Sequence, residues 1–318
     1  MPTKTRNILQ MAGAKARVLT LLGLPNLTDV ELTKSSWAKP IRSYADVPDV
    51  YKSFFDPLLT EGQDFPYAVL TPSYERFIHK TTEKLICDFG HEIDVLEKIG
   101  DEFEAYCYPL DGIIYVEFKS VLLAASLTIS GVTEQGAYAV STLKFNSVTD
   151  YLLVPILNRI RLAAMDSTED VQSEELRKFD PLHQMSYKFM NYGRRSILGG
   201  EKVLHILLQP EIRERIFTFM GKTYSRMISP TLMSILTDRE LILIREEEAR
   251  SRGAQYGGIW DYIPLNKIAS LSLSKKGGDL VGLTVRLPED ASFELLFQAT
   301  AKEELDRLLT HFKELPTR

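Results

Sequence analysis

The chain repeats a short motif. Residues 108–113 read YPLDGI and residues 263–268 read IPLNKI. An internal repeat constrains a fold strongly, because each copy forms one structural unit whose core positions must coincide with those of the other. Proline suits the end of a β-strand, where its missing N–H is not needed, and the Asp or Asn that follows favours a turn. The motif therefore predicts the same change from strand to turn at two places in the chain.

The residues that follow the two motifs also align. Residues 141–160 match residues 293–312, and the match places Leu143 on Leu295. The offset changes by only a few residues, as expected when loops differ in length and core elements do not.

The residues that precede the motifs give a second match, between residues 79–90 and residues 236–247. Both stretches have the apolar pattern of strands. We therefore predict two copies of one β-rich unit, over residues 60–162 and 195–315.

The second copy shows its strands most clearly. Residues 268–274, IASLSLS, alternate apolar and small polar side chains, which is typical of a half-buried strand. The sequence KKGGD at residues 275–279 predicts a hairpin turn, and LVGLTVRL at residues 280–287 predicts the returning strand.

Each copy is predicted to end in an amphipathic helix. Thr300 and Glu303 have capping-box spacing, and Leu305 and Leu309 begin an apolar stripe, so we expect a helix near residues 300–314. The equivalent helix is expected near residues 147–162. Pro155 is expected to kink that helix or restrict it, because proline lacks a backbone donor.

Short antiparallel strands closed by one helix resemble the bacterial PH-like (pleckstrin-homology-like) domain family. The resemblance is carried by ILTDRELILIRE at residues 235–246 and YIPLNKI at residues 262–268, and degenerate versions occur in the first copy. It implies a mainly β (α+β) fold in which two PH-like antiparallel β-barrel or sandwich units are each closed by a C-terminal α-helix. A partly helical N-terminal extension is expected to precede them.

The predicted boundaries follow from composition. Residues 1–59 form the N-terminal extension, which combines a basic amphipathic stretch with an irregular Pro-rich segment. The first PH-like unit spans residues 60–163, an acidic linker spans residues 164–180, and the second PH-like unit spans residues 181–318. The linker is predicted from DSTEDVQSEE, which is acidic and has little to bury.

The N-terminal stretch has a basic character. Lys4, Arg6, Lys15 and Arg17 precede the first acidic residue, Asp29, and lie among apolar side chains. Such a helix lies on an anionic membrane surface, docks to a partner, or packs on the first unit. We favour packing on the first unit, because Lys15 interrupts the apolar face.

A second basic pattern consists of Lys202, a spacer of ten residues, and then Arg213 and Arg215. It resembles the lysine, spacer and Arg-x-Arg pattern with which some eukaryotic PH domains bind phosphoinositide headgroups, since guanidinium forks match phosphate oxygens. The alternative is a solvated charged face, in which Glu211 pairs with Arg215.

The sequence argues against several other classes. A net charge of -5 disfavours broad nucleic-acid binding. A P-loop is rejected because Ile216 stands where its first glycine is required, and we identify no catalytic residues, metal ligands, cofactor or small-molecule substrate. Cys87 and Cys107 are too few for a disulfide framework, which favours a cytoplasmic protein.

We therefore predict a non-catalytic binding or scaffold protein that acts through protein–protein interaction or self-association. The alternative is a peripheral membrane protein that recognises anionic phospholipid headgroups through its two basic patterns.

Overall fold

The computed structural model of the protein describes residues 34–60, 62, 64–73, 75–76, 79–163, 173–220, 222–247 and 256–315. β-strands are the main secondary structure of these residues. The strands of the N-terminal half are β1 (Lys39–Ile41), β2 (Tyr67–Thr71), β3 (Glu75–Arg76), β4 (His79–Lys80), β5 (Lys84–Asp88), β6 (Glu92–Ile99), β7 (Glu102–Pro109), β8 (Ile113–Val121), β9 (Ala124–Val132) and β10 (Tyr138–Asn146). Those of the C-terminal half are β11 (Val203–Gln209), β12 (Ile212–Phe219), β13 (Lys222–Ser229), β14 (Leu232–Thr237), β15 (Glu240–Arg245), β16 (Gly258–Pro264), β17 (Ser270–Lys276), β18 (Leu280–Arg286) and β19 (Ser292–Gln298).

The helices are short and peripheral. They are α1 (Asp49–Thr60), α2 (Val154–Leu162), α3 (Ser173–Arg177), α4 (Tyr187–Ser196) and α5 (Lys302–Glu314). Ser186 caps α4, where its hydroxyl accepts a hydrogen bond from the backbone N–H of Phe189. In the part of the chain described, none of the helices has the length and apolar character needed to cross a bilayer.

The described strands pair in an antiparallel sense and form open sheets, none of which closes into a barrel. One sheet has the order β1-β2-β5-β6-β7, a second has the order β10-β9-β8-β16-β15-β14-β11, and a third has the order β17-β18-β19. The pairs β3-β4 and β12-β13 form separate two-stranded ribbons. The fold is therefore mainly β with a few helices.

Apart from β1, which has no counterpart among the described strands of the second half, the strand order is the same in the two halves. β2 pairs with β5 across the ribbon β3-β4, and β11 pairs with β14 across the ribbon β12-β13. The strands β5-β6-β7 then correspond to β14-β15-β16, and β8-β9-β10 correspond to β17-β18-β19. A helix follows each half, α2 in the first and α5 in the second.

The two halves are joined through a strand pair that we call the seam. β8 of the first half pairs with β16 of the second, with a register from Ser120 opposite Gly258 to Val116 opposite Tyr262. The seam makes a seven-stranded sheet out of the three strands β8-β10 and the four strands β11 and β14-β16. The sheet therefore crosses the boundary between the copies of the repeat.

The halves also share a hydrophobic core. One buried cluster contains Ile86 and Leu127 from the first half together with Phe189 and Ile242 from the second. A second cluster lies between β17-β19, α5 and the opposite face of the seven-stranded sheet, and a third lies between α1 and the first sheet. Burial of apolar surface thus stabilises each half and also holds the two halves together.

The repeated motif forms the predicted structure at both places. Each copy ends a strand and enters a 3-10 turn, Leu110–Gly112 in the first copy and Leu265–Lys267 in the second. The predicted hairpin is also confirmed, because Lys276 lies opposite Leu280 across the turn. The two motifs contact each other, since the Lys267 ammonium donates a hydrogen bond to the backbone carbonyl of Asp111.

The upstream match of the repeat was placed wrongly by one strand. It set residues 79–90, which contain β5, against residues 236–247, which contain β15. By pairing, β5 corresponds to β14 instead, because β5 lies between β2 and β6 as β14 lies between β11 and β15. Both β14 and β15 contain a run of buried Leu and Ile side chains, so the sequence pattern fits either one.

Of the two effects expected of Pro155, the kink is absent, and the helix is instead restricted to residues from Val154 onward. α2 begins at Val154, so Pro155 lies in its first turn, where a backbone N–H has no partner within the helix. Residues 147–152, which were expected to be part of this helix, form a separate 3-10 turn.

Two segments predicted as irregular are ordered. In the Pro-rich segment, Lys39–Ile41 pairs with β2 and Asp49–Thr60 forms α1, whose Tyr51 and Phe55 are buried. Residues 173–180 of the predicted linker contain α3 rather than solvated chain, because Glu175 is buried against the N–H of Val203 and the ammonium of Lys178. Residues 164–172 lie outside the described part.

Candidate binding surface

The ribbon formed by β12 and β13 projects from the second half. Its base is anchored, because Ile212 and the opposed Ser229 are both buried. Beyond that base, neither strand pairs with any other described strand. An isolated two-stranded ribbon is only marginally stable by itself, so packing at its base is what supports it.

Arg213 and Arg215 both lie on this ribbon. They are two residues apart in β12, so their side chains leave the same face of the strand. The Arg213 guanidinium donates to both carboxylate oxygens of Glu211, at 2.8 Å and 3.2 Å. On the other face, Arg226 of β13 donates to Glu214 at 3.1 Å.

Lys202 lies elsewhere. It immediately precedes β11, and its backbone N–H donates to the Asp238 carboxylate at 2.9 Å. The seven residues of β11 separate it from the start of the ribbon, which corresponds to about 23 Å along an extended strand. The structure therefore brings Arg213 and Arg215 together but does not bring Lys202 to them. Phosphate recognition by these residues stays a prediction.

The ribbon also exposes large apolar side chains, which the sequence analysis missed. The rings of Phe217 and Tyr224 stack across the two strands, with centroids 4.7 Å apart and planes 17° apart. Ile216 lies at a bulge between Arg215 and Phe217, and Met220 at the tip is 88% exposed. Apolar side chains that gather on a projecting surface are typical of an interaction site.

The signal for this surface is present in the sequence. In IRERIFTFM, residues 212–220, apolar residues follow one another closely after a charged start. A strand with apolar residues on both faces is normally buried on both faces, so pattern alone predicts the core rather than the surface.

The charge of the ribbon is opposite to that of the chain. Residues 212–229 contain Arg213, Arg215, Lys222 and Arg226 but only one acid, Glu214, whereas the whole chain has a net charge of -5. The ribbon therefore combines exposed apolar and aromatic groups with a local excess of positive charge.

The other predicted basic group cannot be placed. Lys4, Arg6, Lys15 and Arg17 lie outside the described residues. Membrane or partner contact by this stretch stays a prediction.

A buried polar cluster occupies the junction between the halves. The Arg161 guanidinium of α2 donates to Glu240 of β15, to the carbonyl of Ser196 at 2.6 Å, and lies 3.9 Å from the centre of the Tyr262 ring. Glu201 also lies near it, with its Oε2 3.8 Å from the guanidinium. Burial, reinforced by the negative charge of Glu240, raises the pKa of the Glu201 carboxyl to about 8.

This cluster is suited to holding the halves together. A cavity of about 70 Å³ beside it is lined by Arg161, Glu240, Tyr262 and Lys267, among others. The two cations there already have partners, since Arg161 is paired with Glu240 and Lys267 with the carbonyl of Asp111. We therefore regard the ribbon, rather than this cavity, as the candidate binding surface.

Metal ligands do not gather in the described residues, where no group of three or more His, Cys, Asp or Glu side chains could hold an ion. Cys87 is buried and Cys107 is partly buried, and both are free thiols. Burial raises the pKa of the Cys107 thiol to about 12, which disfavours the reactive thiolate.

The chain has a distant structural likeness to a solved structure and no match among family models or curated proteins. Among solved structures, the chain is similar to the DH/PH domains of a RhoGEF, with 13% sequence identity and a TM-score of 0.21. The match covers 52% of this chain and 45% of that chain. A likeness at this TM-score does not support a fold or a function.

Proposed function

We propose that this chain is a non-catalytic binding or scaffold protein made of two PH-like units. The repeated strand order supports the two-unit proposal. In each half, one sheet with an inserted ribbon is followed by a three-stranded meander and a helix. Antiparallel strands closed by a C-terminal helix are what the family resemblance implies. The boundaries at residues 60–163 and 181–318 remain part of this proposal.

The exposed ribbon β12-β13 carries the functional proposal. Ile216, Phe217, Met220 and Tyr224 are 60%, 52%, 88% and 40% exposed, although each belongs to a residue type that is usually buried or half-buried. Aromatic residues, methionine and arginine are the residue types enriched at protein interfaces. The ribbon is therefore the surface by which we expect the protein to bind a protein partner.

A comparison of co-purified proteins tests this proposal. The full chain and a variant with Ile216→Ser and Phe217→Ser are each used to capture partners from cell extract. We expect the variant to lose a partner that the full chain retains, because the centre of an interface supplies most of its binding energy.

The matched control is Tyr138→Ser together with Val140→Ser. These residues are 39% and 51% exposed on β10, far from the ribbon in the strand order of the sheets. The control variant should retain the same partner. If all three proteins capture the same set, the ribbon is not the binding surface.

The positive charge of the ribbon favours a second candidate, a peripheral membrane protein. Met220 lies at the tip, and along the ribbon the pair of Phe217 and Tyr224 separates it from the basic residues Arg215 and Arg226, an arrangement that suits an anionic lipid surface. In this candidate Lys202, Arg213 and Arg215, together with residues 1–24, contribute to headgroup contact.

Sedimentation with phosphatidylserine vesicles distinguishes the candidates. A membrane protein of this kind sediments with anionic vesicles at low salt and is released as salt rises, because basic contacts are screened within a Debye length of about 10 Å at 0.1 M salt. Met220→Ser should weaken that binding. Failure of the full chain to sediment at low salt leaves the protein-binding proposal alone. In either candidate we place the protein in the cytoplasm.

A further inference from the structure

The seam shows that one strand edge of this fold recognises another. β8 is the first strand of the three-stranded meander in its half, and β16 is the last strand of the preceding sheet in the other half. Their pairing over residues 116–120 and 258–262 joins edges that would otherwise be open. An open edge presents unpaired backbone donors and acceptors to another strand.

The equivalents of these two strands are not paired with each other within the chain. By strand order, β7 of the first half corresponds to β16, and β17 of the second half corresponds to β8. Among the described strands, β7 is the last strand of the first sheet and β17 is the first strand of the third sheet. The carbonyl of Cys107 accepts a hydrogen bond from the N–H of Glu134, and from Glu102 to Tyr106 the outer side of β7 pairs with none of the described strands.

The register of the seam can be transferred to these strands. Pro109 matches Pro264 at the ends of β7 and β16, and Ile113 matches Ile268 near the starts of β8 and β17. Both matches have the same offset in residue number, so the register of the seam applies to β7 and β17 without adjustment. β7 then lies antiparallel to β17, and Ala105 comes opposite Leu273.

This register places an apolar pair together. Ala105 packs on the core below α1 and Leu273 packs on the core below α5, and the two side chains come opposite each other. On the other side, the exposed Glu104 meets the exposed Ser274.

The charges also match. Glu102 comes directly opposite Lys276, and Glu104 is its diagonal neighbour, which is the arrangement that stabilises cross-strand pairs. Within one chain Lys276 pairs with Glu294, which is 53% exposed, so that pair is weak and can be exchanged.

From these relationships we propose that β17 of one copy of this chain pairs with β7 of a second copy. The interface is head-to-tail, because it uses different strands of the two copies, and such interfaces build rings or open filaments. The inference rests on the proposed scaffold function and names the chain itself as one partner. It uses strand edges that are separate from the ribbon β12-β13.

Sedimentation velocity of the full chain over a range of concentrations at low salt provides the test. We expect the average mass to rise with concentration. Glu102→Lys alone and Lys276→Glu alone each place like charges opposite each other and should weaken association by about tenfold.

An equimolar mixture of these two variants should associate again. In the mixture, the side chains introduced by the two substitutions carry opposite charges and face each other across one contact. The unchanged Lys276 of the first variant and the unchanged Glu102 of the second form the other contact. Lys313→Glu, which makes the same charge change at an exposed position on α5, serves as control and should associate like the full chain.

Two outcomes would overturn the inference. One is a chain that remains monomeric at all concentrations. The other is association that is unaffected by both charge variants but lost in the Ile216→Ser, Phe217→Ser variant, which would show that copies meet through the ribbon. In that case the proposed binding function stands and only the strand-edge interface fails.

Discussion

Arg161 of the first half and Glu240 of the second form a buried ion pair, in which the guanidinium Nε lies 3.1 Å from the carboxylate Oε1. Both side chains are almost inaccessible to solvent, at 3% and 6% exposure. The charge of Glu240 raises the pKa of Arg161 against the opposing effect of burial. The pair fixes α2 to the start of β15 in the second half, beside the hydrophobic core that the halves share.

Replacement of Arg161 should therefore destabilise the whole chain. We expect Arg161→Ala to lower the free energy of unfolding by about 3–5 kcal/mol, because it leaves Glu240 buried without its partner. Urea denaturation measures the change. Arg159→Ala is the matched control on the same helix, since its pair with Asp88 is half exposed and should contribute no more than about 1 kcal/mol. Equal effects of the two substitutions would contradict the assignment.

Glu201 should make stability depend on pH. Its pKa is about 8 in the folded chain and 4.5 as the ordinary value, so the folded state holds a proton that the unfolded state lacks. Stability contributed by this group is therefore lost as pH rises from about 4.5 to about 8, and the loss is complete above that range.

Glu201→Gln mimics the protonated carboxyl and should remove this part of the pH dependence. In thermal unfolding from pH 5 to pH 9, the stability of the variant relative to the parent chain should increase as pH rises. The exposed Glu174→Gln serves as control and should follow the parent chain. A constant difference between Glu201→Gln and the parent at every pH would show that Glu201 is ionised throughout.

The closing helix of the second half should depend on Leu305 more than on Leu309. Leu305 is fully buried, whereas Leu309 is only partly buried against the same core. We expect Leu305→Ala to cost about 2–5 kcal/mol, with a smaller loss for Leu309→Ala. Urea denaturation gives both values, and the reverse order would contradict the packing of α5.

Gly257 should be essential to the seam. Its φ of 92° is one that residues other than glycine rarely adopt, and a Cβ there would collide with the carbonyl oxygen of Ser120 in β8. Gly257→Ala should therefore destabilise the chain by at least about 1–3 kcal/mol. Gly277→Ala, in a hairpin turn where a Cβ has open space, is the control and should have little effect on thermal unfolding.

Local features of the fold could be predicted from sequence. The turn after Pro109 and after Pro264 follows from proline and turn chemistry, and the hairpin between Lys276 and Leu280 follows from the alternation on both sides of two glycines. The burial of Leu305 follows from helical periodicity. Each of these depends on residues within a few positions of one another.

Features that depend on distant residues could not be predicted. The seam pairs Ser120 with Gly258. The alternation of apolar and polar side chains in a strand does not predict which other strand pairs with it. α1 was missed because Pro57 lies inside it, although Tyr51 and Phe55 supply enough buried surface to hold the helix. Lys202 was grouped with Arg213 because spacing along the chain says nothing of the strand that lies between them.

The seam also sets the order in which the protein can be completed as it is synthesised. The edge of β8 is made about 140 residues before its partner β16. At about 5–20 residues per second, that edge waits for roughly 7–28 s before β16 is made. During this interval the newly made first half presents a strand that is competent to pair with other nascent chains. We therefore expect slow translation between residues 121 and 258 to favour misassembly, and chaperone binding to the ribosome-bound first half to protect it.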